Sequence, residues 1–146
     1  MRIVNLKKEK QFLNSYVELR NRYVEELLTN PVSLKETEQW LSATDVEIRG
    51  LVEDDLLLGV VILYCQKDAE VTIFVQRKNQ GIGTKLLTII EEVAKEKKIP
   101  YLWAWVRKDN LIAQRIFIKA GYTEEKIEER IYKNSKIKGI RFKKWI

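Results

Sequence analysis

The stretch Lys78-Asn79-Gln80-Gly81-Ile82-Gly83-Thr84 lies between an apolar run at residues 71–75 and a helix-patterned run at residues 85–98. A strand, a tight glycine turn and a helix start, in that order, build a cradle for an anion. Two glycines let the backbone come close to a ligand, and the first N–H groups of the helix have no partner inside it. The helix dipole adds partial positive charge at that end, so a phosphate or pyrophosphate is the natural occupant. Taken alone, a short Gly-x-Gly before a helix is also what an ordinary turn looks like.

A second segment begins 27 residues after Gly83 and reads Asn110-Leu111-Ile112-Ala113-Gln114-Arg115-Ile116-Phe117-Ile118-Lys119-Ala120-Gly121-Tyr122. Asn110 is a good N-cap, and Ile112, Ala113, Ile116, Phe117 and Ala120 share one helical face. Gly121 falls where a helix end turns left-handed. A strand at residues 101–106 separates this capped helix from the cradle helix. The bare pattern is a strand, cradle, helix, strand and capped helix.

Together these segments resemble the GNAT superfamily of acyl-CoA N-acetyltransferases. The family's cradle is commonly Arg or Gln, two residues, Gly, one residue, then Gly or Ala; here it is Lys78-Asn79-Gln80-Gly81-Ile82-Gly83. Its later Asn-x-x-Ala-x-x-x-Tyr-x-x-x-Gly-Phe segment matches at Asn110, Ala113, Gly121 and, conservatively, Tyr122. Lys78 departs from the usual Arg or Gln. Phe117 stands where many members place the tyrosine that helps the thiolate leave.

Composition agrees with a globular protein. The 146 residues are enough for one domain with a proper core, and 45% apolar with 33% charged is an ordinary balance. The longest apolar stretch, residues 56–65, is too short to span a bilayer, and no signal-peptide grammar appears. Cys65 is the only cysteine, so no internal disulfide can form. A cytoplasmic location is expected, without membrane association. The chain has no histidine, which excludes a histidine base and most zinc sites; no metal is expected. The net charge of +6 resides in residues 133–146, which carry six basic side chains and no acidic one. A lysine-loaded edge strand that blocks unwanted pairing is the expected reason, with attraction of an anionic ligand as the alternative. The aromatic-basic run Arg141-Phe142-Lys143-Lys144-Trp145 is too short to read nucleic acid, so no nucleic-acid partner is expected.

The remaining pattern predicts a strand at residues 1–6 and a long helix at 11–28, broken by Asn30-Pro31. Ser33-Leu34-Lys35-Glu36 is a capping box. Residues 46–53 and 56–66 form a hairpin around Asp54-Asp55, and strands 122–133 and 136–145 turn at Asn134-Ser135. The expected fold is therefore α/β with a mixed sheet, in the order β-α-α-β-β-β-α-β-α-β-β. One GNAT domain over residues 1–146, as a monomer or homodimer, is the expectation.

The resemblance implies acetyl-CoA as cofactor, its pantetheine arm lying where the strands ending at Val75 and starting at Tyr101 splay apart. Backbone groups of Phe74, Val75 and Gln76 would bond the arm. Lys78, Gln80, Gly81, Ile82, Gly83 and Thr84 would hold the pyrophosphate, with Asn110, Ala113 and Phe117 further along. Asn110 can serve as a cap, a ligand contact, or both. The implied reaction is direct attack of a primary amine on the thioester.

Glu70 is the first candidate base, placed by strand alternation with Thr72 and Phe74; a solvated strand-end carboxylate is the plain alternative. Tyr122 is the candidate acid in place of Phe117. The acceptor is expected to be a small-molecule amine, such as a nucleotide-linked amino sugar, walled by Tyr16, Arg20, Tyr23, Trp40, Trp103 and Trp105. A protein N-terminus or lysine, and a non-catalytic acyl-CoA-binding module, are the alternatives.

Overall fold

The computed structural model describes residues 1–76 and 81–146. Strands β1 (Arg2–Asn5), β2 (Val46–Glu53), β3 (Leu56–Tyr64), β4 (Glu70–Val75), β5 (Tyr101–Arg107), β6 (Thr123–Tyr132) and β7 (Ser135–Trp145) form one mixed sheet. Their spatial order is β1-β2-β3-β4-β5-β7-β6. Only β4 and β5 run parallel. The helices are α1 (Leu13–Asn21), α2 (Val24–Leu27), α3 (Leu34–Ala43), α4 (Ile82–Glu96) and α5 (Leu111–Lys119). None is long and apolar enough to cross a membrane.

Residue chemistry accounts for most boundaries. Asp54 and Asp55 adopt φ of 49° and 62°, and Lys133 and Asn134 adopt 49° and 65°. Paired left-handed residues make the turn whose twist suits an antiparallel hairpin. The second turn therefore sits one residue earlier than the sequence suggested. Ser33 and Glu36 form the expected capping box on α3. At the end of α5, Gly121 at φ 95° lets its N–H donate to Ile118 O and the Tyr122 N–H donate to Phe117 O, the paired closure of a glycine-terminated helix.

The sheet separates two cores. Helices α1 and α3 cover Val4, Ile48, Val60, Ile62 and Phe74, while α4 and α5 cover Val61, Leu63, Val71, Leu102, Ala104 and Phe142. Strand β3 supplies alternate residues to both, which explains its continuous apolar run. Each large side chain so buried contributes roughly 1.5–3 kcal/mol before entropy is counted.

Two expectations change. The helix foreseen at 11–28 breaks at Arg22 and Tyr23 into α1 and α2. Tertiary bonds win there: Tyr23 Oη donates to Val75 O, and Arg22 Nη1 donates to Gln76 Oε1 at 2.6 Å. The basic strand β7 is not an edge, because it lies between β5 and β6. Part of its charge is matched by neighbours: Lys144 pairs with Glu91 at 2.8 Å, and Arg141 with Glu125 at 3.0 Å. The edge on this side of the sheet is β6, where the run Glu124-Glu125-Lys126 discourages further pairing.

Candidate active site

Strands β4 and β5 pair at a single position, Glu70 beside Trp103, where the Trp103 N–H donates to Ala69 O. Beyond it the two strands separate and leave backbone groups facing a gap. The alternation of an antiparallel pair decides which groups these are. Gln76 N–H donates to Leu58 O at 2.6 Å, toward β3. Phe74 and Thr72 share that orientation, so Ile73 and Val75 are the residues whose backbone N–H and C=O face the gap. Of the three residues expected to bond there, Val75 is in position, while the Phe74 and Gln76 backbones turn to the other neighbour. Val75 O is already held by the Tyr23 hydroxyl.

The helix start closes one end. Gly81 has φ 71°, and a side chain there would enter open space, so glycine serves its backbone conformation. The first N–H bonded within α4 is that of Lys85, to Gly81 O; those of Ile82, Gly83 and Thr84 precede it. Gly83 has a different purpose. A Cβ there would lie 2.9 Å from Ile116 Cδ1, so glycine lets α4 and α5 approach. Lys78 and Gln80 lie outside the described residues. Asn110 caps α5 by accepting from the Ala113 N–H at 3.2 Å, and its amide nitrogen donates to nothing among the described residues. Asn110, Ala113, Ile116 and Phe117 line one wall of a cavity of about 520 Å³, whose opposite wall is β4.

A second cavity of about 450 Å³ lies on the α1 and α3 side of the sheet, lined by Tyr16, Arg20, Thr37, Trp40, Tyr64 and Lys67, among others. The two cavities share Leu27, Glu70, Thr72, Phe74 and Arg130. Glu70 therefore stands at their junction. Helix α2 lies across it, held by Tyr132 Oη donating to Thr29 O at 3.1 Å and Arg107 Nη1 to Glu25 O at 3.3 Å.

The expected acceptor residues divide. Tyr16, Arg20 and Trp40 line the second cavity, and Tyr23 and Trp105 line the first. Trp103 lines neither; it is 7% exposed, and its indole donates to Lys67 O. Tyr122 also lines neither. Its hydroxyl is buried with no partner among the described residues, against Phe117 with ring centres 5.0 Å apart. Burial, then the nearby Glu91 charge, pushes that hydroxyl's pKa far up. The structure does not bring Tyr122 together with Glu70.

Arg130 is the site residue that sequence reading missed. From β6 its Nη2 donates to Glu70 Oε2 at 3.2 Å, and its guanidinium lies 4.7 Å from the centre of the Trp105 ring. Trp105 reaches this position because Gly139 has no side chain; a Cβ there would fall 2.1 Å from the indole. Tyr64 is also new to the site. Burial raises its pKa, as does Glu70, while Arg20 opposes.

The Acetyltransferase (GNAT) family model matches residues 13–122. No curated protein matches the sequence significantly. Among solved structures, the ribosomal-protein-alanine N-acetyltransferase of Brucella melitensis is 17% identical over 100% of both chains, with TM-score 0.87. A phosphinothricin acetyltransferase of Sinorhizobium meliloti in complex with acetyl-CoA is 12% identical over 99% of this chain and 88% of its own, with TM-score 0.85. An acetyltransferase of Salmonella typhimurium that modifies the N-terminal serine of a ribosomal subunit protein is 13% identical over 99% and 94%, with TM-score 0.78. At such identities the likeness establishes the fold alone. The family match spans the cradle, the gap and the Asn110-capped helix, and on that ground this chain belongs to the GNAT acetyltransferases, the family that uses acetyl-CoA.

Proposed function

We propose that this protein transfers an acetyl group from acetyl-CoA to the primary amine of a small molecule. One observation carries the reading: a cavity between β4 and α5 and a cavity beside α1 and α3 meet at Glu70, Thr72, Phe74 and Arg130. The residues present fit the donor. Strand-edge groups of Ile73 suit an amide-bearing arm, and the N–H groups at Ile82, Gly83 and Thr84 suit a pyrophosphate. Asn110 has a donor to spare.

Acetyl-CoA supplies a thioester carbonyl. The acceptor nitrogen attacks its carbon, the C–N bond forms, the C–S bond breaks, and the sulfur departs as thiolate. Glu70 takes the proton that the amine sheds. The Val75 N–H faces the gap and serves the carbonyl oxygen as it gains charge, a contribution of about 3 kcal/mol in comparable sites. Phe117 lines the cavity and has no proton to give. A CoA thiol resembles a cysteine thiol, with a free pKa of roughly 8.5, so it leaves as thiolate without one.

Helix α2, tied to β4, β5 and β6, covers part of the acceptor side. This favours a small molecule, and an amino sugar linked to a nucleotide is one such amine, its ring set against Trp40. A protein N-terminus is the second reading; the Salmonella enzyme, which shares the fold, modifies one.

The test is thiol release from acetyl-CoA across a panel of amines and short peptides, with Glu70→Gln beside the wild type. We expect turnover with small amines and a fall of about a hundredfold in kcat for the variant. Turnover confined to peptides would replace the first reading with the second.

A further inference from the structure

The charges around the second cavity do not balance, and this bears on what enters it. The charged side chains of its wall are Arg20, Lys67, Arg130, Glu36 and Glu70. Glu70 is taken by Arg130. Glu36 is turned to the Ser33 N–H as part of the capping box. Arg20 and Lys67 have no carboxylate partner among the described residues. Arg20 donates instead to Asn30 O at 3.0 Å and Thr29 Oγ1 at 2.9 Å, while Lys67 Nζ lies 4.9 Å from the centre of the Tyr64 ring. Tyr64 lines the same cavity as Arg20, Lys67 and Glu70.

A cavity whose wall carries two unmatched cations and a carboxylate is suited to a ligand that bears both an anion and an amine. We infer that the acceptor is a small primary amine that also carries an anionic group, a carboxylate or a phosphate, held by Arg20 and Lys67 while its amine faces Glu70. The inference rests on the acetyl transfer proposed above and narrows its acceptor. It disfavours polyamines and other polycations, which would bring more positive charge to Arg20 and Lys67 than Glu70 can offset. Arg20 is already oriented by Thr29 and Asn30, so its guanidinium meets an anion with little further ordering.

The test compares matched amines with the full chain: glucosamine 6-phosphate against glucosamine, methionine against methioninamide, and spermidine as the polycation. At least one anionic member is expected to exceed its neutral partner in kcat/KM by about tenfold or more, the size of one charge-assisted contact. Which pair shows the preference distinguishes phosphate from carboxylate. In Lys67→Gln and Arg20→Gln that ratio should fall toward one through a rise in KM, and Arg20→Lys should restore part of it. Lys67→Gln keeps the test valid should loss of the Arg20 bonds to Thr29 and Asn30 impair folding. Equal use of charged and neutral partners, a preference for spermidine, or a ratio unmoved by both substitutions would overturn the inference and leave acetyl transfer standing. Binding of acetyl-CoA without turnover of any amine would overturn both, and is recognised by calorimetry with acetyl-CoA alone.

Discussion

Arg130 Nη2 donates to Glu70 Oε2 at 3.2 Å, a contact between residues 60 apart that joins the edge strand β6 to the strand bordering the gap. The side chains keep 33% and 11% of their surface exposed. In the proposed reaction Arg130 would position the carboxylate. Arg130→Ala should lower kcat by about ten- to hundredfold through misplacement of Glu70. The dissociation constant of acetyl-CoA should not change, and Arg130→Lys should recover part of the rate. The stability cost is about 1–2 kcal/mol, below that of a fully buried pair because Arg130 remains partly in water. Steady-state kinetics with calorimetry separate a positioning loss from unfolding.

Gly83 and Ile116 are a matched pair. Adding a methyl at Gly83 places it 2.9 Å from Ile116 Cδ1, and α4 and α5 must then part or Ile116 must shift. Gly83→Ala should cost about 1–3 kcal/mol and raise the KM for acetyl-CoA, since the cradle is the start of α4. Adding Ile116→Val should recover much of both. Thermal unfolding and KM measured on the single and double variants check this.

Phe117 is 2% exposed and lines the donor cavity. Phe117→Tyr restores a hydroxyl where many members of the family carry one, and kcat should rise by about tenfold as the departing sulfur gains a proton donor. A fall in kcat together with lost stability would mean that the ring tip meets the core around Tyr122 and Phe142 instead.

Glu47 sets an acid limit on stability. Partial burial pushes its carboxyl up, but Arg49 at 2.9 Å and Lys97 at 3.3 Å outweigh it and hold the pKa below the usual carboxylate range. The folded state thus binds this proton more weakly than the unfolded chain does. The stabilisation is complete above the unfolded value near 4.5 and is lost as pH falls through the folded value. Glu47→Gln should cost about 0.5–1 kcal/mol at pH 7, little of it remaining near pH 3. Urea unfolding at both pH values measures the difference.

What could be read from sequence was local. Gly81, Asn110 and Gly121 announce their roles because caps and left-handed turns depend on a few adjacent residues. The placement of Glu70 with Thr72 and Phe74 was legible from strand alternation. Arg130 was not, because its partner lies far away in the chain and the contact depends on β7 sitting between β5 and β6. The same ordering turned the basic C-terminal strand from an expected edge into an interior one. Likewise, alternation shows that Phe74 and Val75 differ, but only the pairing with β3 decides which of them faces the gap. The break at Arg22 and Tyr23 follows from bonds to Val75 and Gln76 that no local pattern contains.

Thermal unfolding with saturating acetyl-CoA, beside CoA and an unrelated nucleotide lacking the pantetheine arm, tests the central claim most directly. At about 100 times the dissociation constant the ligand adds about 2.7 kcal/mol, which at this chain length raises Tm by roughly ten degrees. The account predicts that shift with acetyl-CoA and with CoA, and little change with the nucleotide. No shift with saturating acetyl-CoA would contradict it.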